Sequence, residues 1–167
     1  MIGKNKTIVM TTMNHLVFQI ESAAKHLERS REALASQQCN LKHAAESFRT
    51  AEEDLKEKIT ASEDAAKQFL SVFHKYEIAY QEHNYAKAEC DEMTIERTQT
   101  ILSVINKSKF DTLGILSDAN KFLEMAEEHM VEARENYNFA LLELDVIEKT
   151  CKKAEDSFQK TVEEFNN

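Results

Sequence analysis

Six histidines and three cysteines are among the residues of this 167-residue sequence that could ligate a metal or act as nucleophiles. A di-iron site in a helical bundle needs Glu-x-x-His on facing helices, because a three-residue step brings both ligands to one helix face. The residues three places before the histidines are Thr12, Ala23, Asn40, Ser71, Tyr80 and Ala126, none of them acidic. Cys39, Cys90 and Cys151 are scattered along the chain with no C-x-x-C pair, which disfavours a zinc knuckle. There is no glycine-rich phosphate loop and no nucleophile elbow. The sequence therefore predicts no metal, no cofactor and no catalytic residue, and a protein that is not an enzyme. Cys90 and Cys151 fall where an apolar seam would run, and there a thiol serves as a small apolar group. His83 falls on the same seam, either as a polar residue that sets register or as a pH-sensitive group.

That seam is the chief feature of the sequence. Large apolar side chains recur every seven residues: Met13, Ile20, Leu27, Leu34, Leu41, Phe48 and Leu55, then Phe69, Tyr76 and Val104. A second series runs Leu116, Leu123, Met130, Tyr137, Leu144, Cys151, Phe158 and Phe165. Extending the first series reaches Asp111, five residues short of Leu116. A seven-residue repeat keeps apolar groups on one helix stripe, and two such stripes bury each other. Three residues further on, at the d positions, alanine dominates: Ala44, Ala51, Ala65, Ala79 and Ala86, then Ala119, Ala126, Ala133, Ala140 and Ala154. A large a with a small d lets two axes approach closely, which favours antiparallel pairing.

Composition agrees. There is no proline or tryptophan, and the two glycines are Gly3 and Gly114. Charged residues make up 31% of the chain. This is the profile of long helices rather than of a sheet. The expected fold is all-α: long antiparallel coiled-coil helices, about three, in one elongated or V-shaped domain over 1–167 with no sheet. A short flexible N-terminus is expected over about 1–9. The phase slip, with Asn106, Ser108 and Asp111 as helix-ending or capping residues, places a reversal at about 106–114. Thr60 with Glu63 has the pattern of a capping box, and the seam weakens at Lys58 and Ser62, so a break is expected at about 60–64. The helices would then span about 10–59, 62–107 and 112–166. Without that break, one helix from 10 to 107 would be roughly 150 Å long at ~1.5 Å per residue. Its uncovered half would need a second copy of the chain, a homodimer.

The net charge of −9 repels phosphate backbones, and no basic stripe with interleaved aromatics occurs, so no nucleic-acid partner is expected. It also opposes adhesion to anionic membranes. The stretch HLVFQI at 15–20 is too short to span a bilayer, so no direct membrane insertion is expected. Val17 and Phe18 within it either cover a helix end or form a docking patch. Thr11, Thr12, Asn14 and His15 break any signal-peptide core, and widely spaced cysteines suit a reducing compartment, so a cytoplasmic location is expected.

INKSK at 105–109, followed some thirty residues later by the stretch from Ala133 to Glu148, resembles the SH3-domain-binding protein 5 (Sab) family. There an INKSKPY corner precedes a helix with the pattern A-K-x-x-Y-x-x-A-L-x-x-L-E-x-I. Ala133, Arg134, Tyr137, Ala140, Leu141, Leu144 and Ile147 correspond. The stretch 39–59 is similar to a second family block through Ala45, Phe48, Ala51, Glu53 and Leu55. The chain departs from the family in having Phe110 for its proline, a corner-to-tyrosine spacing about one heptad shorter, a shorter middle, and no counterpart to most of the first helix. The resemblance implies a V-shaped antiparallel coiled coil. It also implies guanine-nucleotide exchange on a Rab small GTPase of the recycling-endosome class, in vesicle trafficking. Such exchange works by binding the nucleotide-free state preferentially. By the same resemblance, Phe122, Leu123 and Glu124 would contact the GTPase. The alternative, resting on seam geometry alone, is a structural coiled-coil scaffold or filament subunit without GTPase activity.

Overall fold

A computed structural model describes the backbone of residues 2–89 and 91–166, and the side chains of 14–89 and 91–166. The fold is all-α, with two helices, α1 (Ile2–Glu89) and α2 (Glu92–Asn166), and no strand among the described residues. Contacts divide the chain into two units, one made of Met1–Phe48 with Ala133–Asn167, the other of Arg49–Glu132.

The second unit is an antiparallel helix pair closed by its own turn. Ser62 Oγ donates to Asn120 Oδ1 at 2.7 Å, Lys109 lies over the Tyr76 ring, and His83 Nδ1 is 3.0 Å from Thr98 Oγ1. Partners thus draw together in sequence as the turn is approached. Asp91 starts α2: its carbonyl accepts from Ile95 N–H at 2.9 Å, and its carboxylate accepts from Thr94 Oγ1. An aspartate in this place satisfies donors that the first helical turn leaves open, and Glu92 adds favourable first-turn charge.

Three expected boundaries differ from this. The three helices expected are two, because α1 runs through 60–64 and α2 runs through 106–114. Thr60 Oγ1 donates back to Lys56 O at 3.0 Å, and Thr112 Oγ1 to Ser108 O and Lys109 O. Each threonine spends its hydroxyl inside the helix, as a mid-helix threonine can, instead of capping a new one. Gly114 has open space around its Cβ direction, so it marks no turn and no close approach. The third difference is at the start: α1 is already helical from Ile2, ahead of the expected start near residue 10.

The five-residue phase slip is real but lies between α1 and α2. In this unit the inward positions recur every seven residues from Leu55 to His83 on α1, and from Ile95 through Leu102, Lys109 and Leu116 to Met130 on α2; all are buried or half-buried. The second series therefore reaches back to Ile95. Val104, assigned above to the first series, is 66% exposed. The d positions supply the tightest packing: Ala51, Ala65, Ala79, Ala86 and Ala126 are buried.

The first unit repeats this arrangement. Arg31 pairs with Glu155 at 3.0 Å, Gln37 reaches Ala140 and Glu143, and Phe48 stacks on Tyr137 with ring centroids 5.8 Å apart. This order makes the pair antiparallel. Leu27, Ala133, Ala140, Cys151 and Ala154 are buried. Phe165, the last member of the second series, is 40% exposed. Met13 and Cys90, both assigned to the seam, lie outside the described side chains.

Candidate functional site

Three sets of residues depart from plain seam packing. The first is the expected partner surface. Neighbouring residues on a helix point about 100° apart, so Phe122, Leu123 and Glu124 do not share a face. Leu123 is a half-buried seam residue, whereas Phe122 and Glu124 are exposed. Phe122 instead belongs with Ile115 and Met125, seven residues before it and three after, all more than half exposed.

The second set is polar and buried. Gln37 occupies a d position of the first unit and is 5% exposed. Its amide donates to Ala140 O at 3.2 Å and to Glu143 Oε2 at 3.1 Å, while its carbonyl oxygen accepts from Asn40 Nδ2 at 3.2 Å. The small Ala140 leaves room for this, and a fully satisfied polar group on a seam fixes register. The sequence signal was present, since glutamine breaks the alanine run at d, but its partner could not be named without the pairing. His83, in the second unit, is 3% exposed. Thr98 Oγ1 donates to Thr94 O and Ile95 O, so it accepts from His83 Nδ1–H. That tautomer leaves Nε2 as an acceptor, and it has no partner.

The third set is an outward apolar stripe on α2 of the first unit. Phe139, Leu142 and Val146 are 62%, 68% and 62% exposed. With Ile147, Gln37 and Glu143 they line an open groove of about 400 Å³. Another hollow of about 560 Å³, between Phe18, His26 and Glu164, is mostly polar. Phe18 is 67% exposed, so it does not cover a helix end.

The described residues contain no group of three His, Cys, Asp or Glu side chains placed to hold a metal ion. Asp91 is one of the few groups with a displaced titration. The hydrogen bond from the Thr94 hydroxyl, aided by the backbone N–H groups of Thr94 and Met93, holds its carboxyl below the usual range. That is helix capping, not acid–base chemistry. No described helix is long and apolar enough to cross a membrane. No protein-family model and no curated protein sequence matches this chain.

Proposed function

We propose that the chain is a non-enzymatic coiled-coil scaffold of the cytoplasm, which works by presenting helix faces to partner proteins. The observation that carries this reading is the heptad spacing of inward residues in both units, with alanine recurring at the d positions. Such spacing commits one stripe of each helix to its neighbour and leaves the outer faces for partners. What those faces offer is apolar and shallow: Phe139, Leu142 and Val146 in one unit, Ile115, Phe122 and Met125 in the other. Isolated exposed apolar residues are ordinary, but apolar residues repeated at helical spacing on an outer face suit helix-in-groove or helix-on-helix docking.

A second reading keeps exchange on a Rab small GTPase, and it rests on Phe122 and Glu124 being exposed where the Sab resemblance places a GTPase contact. The corner on which that resemblance leaned is lost, since INKSK lies inside α2. Nucleotide release from a panel of recycling-endosome Rab proteins separates the two readings. The scaffold reading expects unchanged release rates and no preference for the nucleotide-free GTPase. Accelerated release, abolished by Phe122→Ala with Glu124→Ala at unchanged helicity, would establish exchange instead.

A further inference from the structure

The outer stripe of α2 in the first unit has an order of its own. Glu135, Phe139, Leu142, Val146 and Lys149 follow one another at steps of four, three, four and three residues. That is a second heptad stripe, on the face turned away from α1, and all five residues are exposed. Its charges are arranged by sign: an acid at one end, a base at the other, three apolar residues between. Leu142 is the midpoint, seven residues from both Glu135 and Lys149.

We infer that this stripe pairs with the same stripe of a second copy, antiparallel, about a two-fold axis at Leu142. Reversing one copy about Leu142 sets Leu142 against Leu142, brings Phe139 within one residue of Val146, and sets Glu135 against Lys149, the last pair occurring twice by symmetry. Parallel pairing would instead set Glu135 against Glu135 and Lys149 against Lys149. The charges therefore make the stripe complementary to a second copy of itself in the antiparallel direction and not in the parallel one. Glu143 flanks the stripe, and its like-charge approach to its own copy is the main objection. Its carboxylate accepts from Gln37 Nε2 at 3.1 Å, which draws it toward α1 and off the pairing face. Lys149 already pairs with Asp145 at 2.6 Å, but that pair is exposed, and the ammonium has donors to spare for a carboxylate across the axis. The groove beside Leu142, lined also by Gln37, Glu143 and Ile147, borders this stripe on its α1 side.

The contact is smaller than a standard specific interface, so association is weak and concentration-dependent. The net charge of −9 opposes it at low ionic strength, so the measurement is made at physiological salt. The inference deepens the scaffold reading by naming a partner. The nucleotide-release assay does not depend on it, so the two can fail separately.

Sedimentation equilibrium over a concentration series, on the full chain, tests the pairing. The unaltered chain should form a dimer. Glu135→Lys alone and Lys149→Glu alone each place like charges across the axis at two symmetric points, and each should weaken dimerisation about tenfold. Glu135→Lys with Lys149→Glu restores opposite charges and should return the dissociation constant to within about threefold of the original. Added salt should strengthen the single variants, whose pairing is opposed by repulsion. All four proteins should show equal helicity, because the altered residues are exposed. A chain that stays monomeric up to about 1 mM, a concentration adequate for such weak pairs, overturns the proposal. So does a dimer that both single variants leave unchanged.

Discussion

The ammonium of Lys109 lies 3.7 Å from the centroid of the Tyr76 ring. Both residues occupy a positions, so a cation and an aromatic face meet where two apolar groups would be expected. A contact of this kind is worth about 0.5–1 kcal/mol at an exposed site. It also explains why the turn is hard to find in the sequence. A lysine at the seam hides the second heptad series just where it runs back toward its origin, while exposed Val104 imitates a continuation of the first.

The position of the reversal can be measured directly. In a chain whose own cysteines are replaced, spin labels at Glu77 and Ser103 should be about 20 Å apart or less, as facing helices with axes 8–10 Å apart require. A single helix through both sites would separate them by about 39 Å at ~1.5 Å per residue. Labels at Glu96 and Lys121 should show the opposite, about 37 Å along α2. A short Glu96–Lys121 distance would move the turn back to 106–114.

Most of the helix content and much of the seam were legible, because proline is absent and the seven-residue repeat recurs along most of the chain. Which alanines would be buried was also legible, since d positions follow from a. The turn was not. It has no glycine or proline, and its signal is one short capping pattern, Asp91 with Thr94, within a sequence rich in such pairs. Thr60 and Thr112 offer equally good local patterns but bond backward into their helices. Local capping chemistry permits a helix start; tertiary pairing decides which candidate is used. The triplet at 122–124 shows a similar limit. Its motif is contiguous in sequence, but helical geometry sends Leu123 inward.

The cap itself has a pH signature. Because the folded-state pKa of Asp91 is lowered, its stabilising contribution is fully present above the ordinary carboxylate range, about 3.9 for aspartate. It is lost as the pH falls through the lowered value. The amide resonances of Met93 and Thr94, followed by NMR, should titrate with a midpoint below that of an aspartate in a short peptide. Thr94→Ala removes the largest cause of the shift and should move the midpoint upward. Equal midpoints in the two proteins would mean that the hydroxyl does not hold the carboxylate.

His83 should be improvable. Its buried Nε2 has no partner, and an unsatisfied buried polar atom costs about 1–3 kcal/mol. Thr98 keeps its hydroxyl bonds to Thr94 O and Ile95 O when the imidazole is removed, so no new orphan is created. His83→Leu should therefore stabilise the chain by about 1 kcal/mol in urea unfolding. A loss of stability would show that Nε2 is hydrated, or that the ring's shape matters more than its unpaired nitrogen.

The alanine positions make the opposite case, and a matched pair of substitutions isolates it. Ala140 is 7% exposed, opposite Gln37, whose amide reaches its carbonyl oxygen. Leucine there would press on the α1 backbone and displace Gln37, costing about 1–3 kcal/mol by overpacking. Gly114 sits on α2 with nothing within 4 Å of an added Cβ. Alanine there adds helix propensity without contact and should gain roughly 0.5–1 kcal/mol. Both changes add carbon to the same helix, so hydrophobicity alone predicts the same sign for each. Thermal unfolding monitored by circular dichroism should give opposite signs, with Ala140→Leu lowering the midpoint and Gly114→Ala raising it. A neutral Ala140→Leu would place that alanine outside the seam. A destabilising Gly114→Ala would mean that the chain bends or turns at 114 after all.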